Sequence, residues 1–146
     1  MSNISSLLYE EILKYDNVKI VYDDTYGSLD KCESAVVMSG TASLEVALTN
    51  TPHVVVFKAS YTSYLIARLL VKLKYISLVN LILGTEIVKE LIQDNFNINN
   101  LINELKSLKK KKIKKMMKEN FYELKRKIGD TNSSKKLANI IYKEIL

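Results

Sequence analysis

The chain has 146 residues, 47% of them apolar and 26% charged, with one proline and four glycines, which excludes a disordered, collagen-like or loop-dominated protein and predicts one compact domain over residues 1–146. Cys32 and His53 are each the only residue of their kind, so an intramolecular disulfide and a His/Cys metal site are excluded and no structural metal or other cofactor is expected. The net charge of +6 is concentrated between residues 106 and 127.

Residues 1–14 carry Glu10 and Glu11 where a signal peptide needs a basic end and an apolar run, so no export is expected. Ile4, Leu7, Leu8, Ile12 and Tyr15 recur at helical spacing, and residues 18–22 then change to a β-branched run that reads as a strand. Residues 27–33 read as a short helix or turn. A second strand is predicted over 35–38, ended by Ser39 and Gly40, and a helix capped by Thr41 or Ser39 runs to about Thr49, with Leu44, Ala47 and Leu48 on one face. Asn50, Thr51 and Pro52 end it, and residues 53–57 form a third apolar strand.

A helix is expected from Tyr61 to about Lys72; Arg68, Lys72 and Lys74 interrupt the apolar window 64–83, so it does not read as a membrane span. A short extended piece over 75–77 and a helix over 85–93 follow. Three amphipathic stripes close the chain: Ile98 to Leu108, Ile113 to Ile128 and Leu137 to Ile145. Apolar strands alternating with helices mark a parallel sheet covered on both faces. The expected fold is therefore α/β, a Rossmann-like parallel sheet with flanking helices over about 1–100, followed by a helical carboxyl-terminal segment over 101–146 that packs on it. Three strands are few for a nucleotide-binding unit, where five or six are usual, so part of such a unit is expected upstream.

The motif SGTASLE, residues 39–45, stands where a strand hands over to a helix, the place where open parallel sheets bind ligands. Gly40 permits close approach of the backbone, and the amides and positive dipole end of the following helix favour a phosphate. Glu45, one turn in, is placed to accept hydrogen bonds from two sugar hydroxyls. The alternative is a tight turn and cap with no ligand.

Four blocks in order, SGTASLEVAL (39–48), PHVVV (52–56), YLIARLLVKLKYISLVN (64–80) and EIVKELIQD (86–94), resemble the closing half of lipid-A-disaccharide synthase, with similarity over about residues 18–105. The resemblance implies a two-domain glycosyltransferase of GT-B type whose carboxyl-terminal Rossmann-like half holds the nucleotide sugar. It implies transfer of diacylglucosamine from UDP-2,3-diacylglucosamine to 2,3-diacylglucosamine 1-phosphate, giving lipid A disaccharide and UDP, without a metal or other cofactor. Carried over by position, Ser39, Gly40 and Thr41 face the diphosphate, Glu45 the ribose, and Asn80 and Gln93 line the donor pocket; for the last two the alternative is an amide that satisfies nearby backbone.

Two departures bear on the pocket. Val79 stands where the family usually has proline, and Thr85 where it commonly has a basic residue, which loosens one loop and removes one phosphate contact. No counterpart of the family's acceptor-binding half is read in this chain, so a separately supplied amino-terminal half is the implied protein partner and no catalytic residue is named. The alternative function is a non-catalytic remnant or interaction module that keeps the UDP-binding fold.

The remaining features have plain readings. His53 is taken as a strand-edge residue rather than a catalyst, and Cys32 as a half-buried helix residue. The lysines of 109–127 are either a solvated helix face or a peripheral contact with anionic lipid on the inner face of the bacterial inner membrane, which goes with a cytoplasmic protein. Their scattered aromatic neighbours make no nucleic-acid surface.

Overall fold

The computed structural model describes residues 14–38, 40–61, 64 and 74–129. In chain order these form α1 (Thr25–Lys31), β1 (Ala35–Met38), α2 (Thr41–Leu48), β2 (His53–Phe57), α3 (Leu78–Leu83), β3 (Glu90–Ile92), a 3-10 turn (Gln93–Asn95), α4 (Ile98–Leu108) and α5 (Lys111–Ile128). The strands make one parallel sheet in the order β1-β2-β3. Ala35 pairs with His53 and Met38 with Val56, while Val55 pairs with Glu90 and Phe57 with Ile92. This is an α/β, Rossmann-like arrangement, with helices on both faces of the sheet.

Side chains alternate across the sheet, and the central strand shows why both faces must be covered. Val55 points into a core with Ala47 of α2, Val79 of α3, Ile87, Val88 and, from α5, Met117, Phe121 and Leu124. Val54 and Val56 point the other way, joining Leu91 beneath Phe96, Leu101 and Leu105. A third cluster sets Leu29 of α1 against Val37 and Val46. The apolar stripe of α5 supplies the largest buried side chain of the main core, Phe121, so the helical carboxyl-terminal part is integral to the sheet's packing.

Three expectations need correction. Residues 18–22 form no strand; Val18, Val21 and Tyr22 are exposed, since a β-branched run becomes a strand only where a ladder is available. The expected helix over 85–93 is instead β3 and a 3-10 turn. Ile87, Val88 and Leu91 have helical spacing, but a short apolar run fits either structure and the free side of β2 decides it. Residues 78–83, left without an element by periodicity, form α3, capped by Ser77, whose hydroxyl accepts from Asn80 N at 3.2 Å. The expected helices before Lys14 and after Gly129, most of the one from Tyr61, and Ser39 lie outside the described residues. At the start of the segment from Tyr61, Tyr64 N donates to Ser60 O at 3.0 Å.

Candidate functional site

Because the strands are parallel, their carboxyl ends share one edge of the sheet. β1 leads to Gly40 there, β2 to Ala59 and β3 to Gln93. Gly40, not Thr41, is the N-cap of α2, with φ 121° and ψ −153°, a backbone state open essentially to glycine alone. A Cβ built there would meet nothing within 4 Å, so conformation and not space requires the glycine. No side chain caps α2, and Gly40 and Thr41 are exposed. The first-turn amides therefore keep the anion-attracting character of an uncapped helix start.

One turn along, Glu45 is exposed and its carboxylate has no partner among the described residues. It lies four residues from Thr41 and so on the same helix face, about 5–6 Å away between Cβ atoms. The opposite face of α2 is anchored: Ser43, Val46 and Ala47 are buried. Gly40, Thr41 and Glu45 thus form one open strip at the carboxyl edge.

Gln93 stands at the same edge, half-buried, with φ 50°. Its Oε1 accepts from Ala59 N at 2.8 Å and its Nε2 donates to Ala59 O at 3.1 Å. The amide ties the loop after β2 to the end of β3 and keeps one N–H and one lone pair for another partner.

Asn80 takes the second of its two readings, an amide that satisfies nearby backbone. It is fully buried; Nδ2 donates to Val88 O at 2.8 Å and to Glu90 Oε1 at 2.9 Å, and Oδ1 accepts from Ile87 N at 2.8 Å and Val88 N at 3.0 Å. Those four bonds use the whole capacity of a carboxamide, so the side chain is a strut behind the edge with nothing left for a ligand. Glu90, which sequence reasoning missed, completes the strut: Oε2 accepts from Ile76 N at 2.9 Å and Oε1 from Ser77 N at 3.0 Å. No local spacing links residues 76–80 to 90.

His53 stands at the start of its strand, as expected. It opens the central strand, fully buried, at the amino edge of the sheet and away from Gly40 and Gln93. Its Nδ1 lies 3.0 Å from Thr51 O and its Nε2 3.0 Å from Ser43 Oγ, and the ring stacks on Phe121 at 5.5 Å. Burial pushes its pKa down to about 4, with the Thr51 carbonyl opposing the shift. Cys32 is exposed, not half-buried.

The lysines of α5 approach the amino edge as well. Lys114 reaches Glu33 at 3.6 Å and lines a shallow cavity with Cys32, Thr51, Pro52 and Lys118. Lys115 and Lys127 pair with Glu119 and Glu123, whereas Lys109, Lys110, Lys111 and Lys112 are exposed without a carboxylate partner among the described residues. Among those residues no helix is long and apolar enough to cross a membrane.

Residues 3–143 match the family model described as lipid-A-disaccharide synthetase. A lipid-A-disaccharide synthase of Syntrophus aciditrophicus (strain SB) is 35% identical over 132 residues, covering 88% of this chain and 34% of that protein. The corresponding enzyme of Sulfurihydrogenibium sp. (strain YO3AOP1) is 32% identical over 138 residues, covering 94% and 34%. That of Psychromonas ingrahamii (strain DSM 17664 / CCUG 51855 / 37) is 45% identical over 80 residues, covering 55% and 21%. The chain therefore spans about a third or less of the length of these relatives.

Proposed function

Because this chain belongs to the lipid-A-disaccharide synthetase family, we propose that it is the donor-binding part of a glycosyltransferase of lipid A biosynthesis. It would hold UDP-2,3-diacylglucosamine while the diacylglucosamine passes to 2,3-diacylglucosamine 1-phosphate and UDP departs. The observation that carries this reading is the open strip of Gly40, Thr41 and Glu45 at the carboxyl edge, where parallel α/β sheets take their ligands.

In this reading the Glu45 carboxylate accepts hydrogen bonds from two ribose hydroxyls. The start of α2, with Gly40, Thr41 and Ser39, takes the diphosphate. As the glycosidic bond to UDP breaks, negative charge grows on the departing phosphate, and amides already aimed at it stabilise that charge without having to reorient. Gln93 borders the pocket and holds the loop around Ala59 in place. Asn80 acts through Glu90 and the 87–88 backbone and not by touching the donor. The acceptor lipid, and the base that deprotonates its hydroxyl, belong to the portion of the family's length outside this chain, carried by the amino-terminal half as partner.

Lys109, Lys110, Lys111 and Lys112 fit peripheral attachment to anionic lipid at the cytoplasmic face of the inner membrane, each basic residue contributing roughly 1 kcal/mol close to the surface. A second reading is a non-catalytic module that keeps the UDP site. Product formation after the preceding part of the fold is supplied separates the two. Calorimetric titration with UDP tests the site itself. Binding by the parent chain, and about tenfold weaker binding by Glu45→Ala at an unchanged melting temperature, are the expected results. Equal affinities would remove Glu45 from the site.

A further inference from the structure

The strip of Gly40, Thr41 and Glu45 carries no cation. The start of α2 offers free amides and roughly half an elementary positive charge, while the Glu45 carboxylate adds a full negative one. A nucleoside diphosphate brings more than one negative charge to the same place. Without a cation at the carboxyl edge the strip would repel it.

The central strand supplies one. Lys58 directly follows Phe57, the last residue of β2, and is exposed. Its ammonium makes no ion pair among the described residues. Register fixes its place, since Phe57 pairs with Ile92 and Met38 with Val56. One step past the first pair and two past the second bring Lys58 level with Gln93 on one side and Gly40 on the other. Neighbouring strands lie about 4.8 Å apart, a gap that the flexible four-carbon stem of a lysine spans. Lys31, at the end of α1, and Lys89, directly ahead of β3, stand by contrast at the amino edge.

The peptide next to Lys58 is held at two points. Ala59 N donates to Gln93 Oε1 at 2.8 Å, and Ala59 O accepts from Gln93 Nε2 at 3.1 Å. That clamp fixes where the lysine stem begins and leaves the ammonium free. It can meet an anion without first giving up a partner within the protein.

We propose that Lys58 is the cation that binds the diphosphate of the sugar nucleotide and stabilises the charge left on UDP. This rests on the donor-site reading and adds to it the positive charge that Gly40, Thr41 and Glu45 do not provide. In the transfer, the bond between the anomeric carbon and the β-phosphate oxygen breaks and its electron pair stays on that oxygen. The acceptor oxygen bonds the carbon and gives its proton to the base outside this chain. The β-phosphate thus ends with one more negative charge, so an ammonium beside it favours the departing UDP over the bound donor.

Calorimetric titration of the 146-residue chain with UDP, at low and at high salt, tests the assignment. Lys58→Met should bind UDP about tenfold or more weakly than the parent at an unchanged melting temperature. Lys58→Arg, which keeps the charge, should stay within about threefold of the parent. Added salt should weaken binding by the parent more than by Lys58→Met, a signature of lost charge that a merely structural role would not give. Equal affinities in the parent and Lys58→Met, a salt response that the substitution leaves unchanged, or a Lys58→Arg chain as weak as Lys58→Met would each overturn the proposal and leave Lys58 a solvated surface residue. The two readings fail differently. A parent chain that binds no UDP would sink the donor site and Lys58 with it, whereas weakening by Glu45→Ala but not by Lys58→Met would sink Lys58 alone.

Discussion

Ser43 Oγ and His53 Nε2 lie 3.0 Å apart, both side chains fully buried, and the pair fastens the inner face of α2 to the start of the central strand. A carbonyl only accepts, so Nδ1 carries the proton that bonds Thr51 O and Nε2 accepts from the serine. The ring is therefore neutral in the native state, and its proton affinity drops from 6.5 to about 4 through burial. Between those values the unfolded chain binds a proton that the folded one does not. Stability complete above pH 6.5 should decline as pH falls to about 4, by about 3 kcal/mol. Denaturant melts across that range should show the decline, and His53→Gln should flatten it; an equal slope in the variant would assign the effect elsewhere.

Gly40→Ala places a Cβ in open space but forces φ 121°, which alanine resists. A loss of about 1–3 kcal/mol is expected, together with weaker UDP binding as the turn relaxes. Thermal unfolding and calorimetry measure both; a variant as stable as the parent would show that the turn has another conformation.

Asn80→Ala and Glu45→Ala should part company. Removing Asn80 orphans Ile87 N, Val88 N and Val88 O in the core and takes one partner from Glu90, at about 1–3 kcal/mol for each unsatisfied group. Glu45→Ala removes only an exposed, unpartnered carboxylate. Urea titration should find the first variant strongly destabilised and the second unchanged. A stable Asn80→Ala protein with selectively weakened UDP binding would restore Asn80 to the pocket wall.

Gln93→Glu keeps an acceptor for Ala59 N but sets a carboxylate against Ala59 O, which it cannot donate to. The loop after β2 should loosen and UDP affinity should fall by about threefold to tenfold, with added charge repulsion against phosphate contributing. Faster amide exchange at Ala59 is the direct readout, and unchanged exchange would deny the clamp.

Lys109, Lys110, Lys111 and Lys112, changed together to Gln, should abolish flotation with anionic vesicles at low salt and leave the fold intact, since all four are exposed. Parent protein that floats no better with anionic than with neutral vesicles would dismiss the lipid contact.

β1, β2, α2 and the stripes of α4 and α5 were legible because each rests on a local signal: a continuous apolar run, a glycine at a strand end, a stripe at helical spacing. The Gly40, Thr41 and Glu45 strip was legible for the same reason. β3 was not, since Ile87, Val88 and Leu91 satisfy helical spacing and only the free side of β2 makes the segment a strand. α3 is six apolar-rich residues with no periodicity to read. Asn80 offers the same carboxamide to a ligand or to backbone, and the choice is made by Glu90, ten residues away, through a bond that sequence does not announce. Residues 18–22 have strand chemistry but no neighbour to pair with among the described residues.

The packing of α5 sets a schedule for synthesis. Phe121 and Leu124 share a core with Ala47 and Val55, yet Phe121 follows Val55 by roughly 65 residues, which a ribosome adds over about 3–13 s. For that interval the nascent sheet presents an apolar face with its main cover unmade, so a chaperone that shields β-branched surface has a defined window in which to act. Slow codons placed between β2 and α5 would lengthen that window.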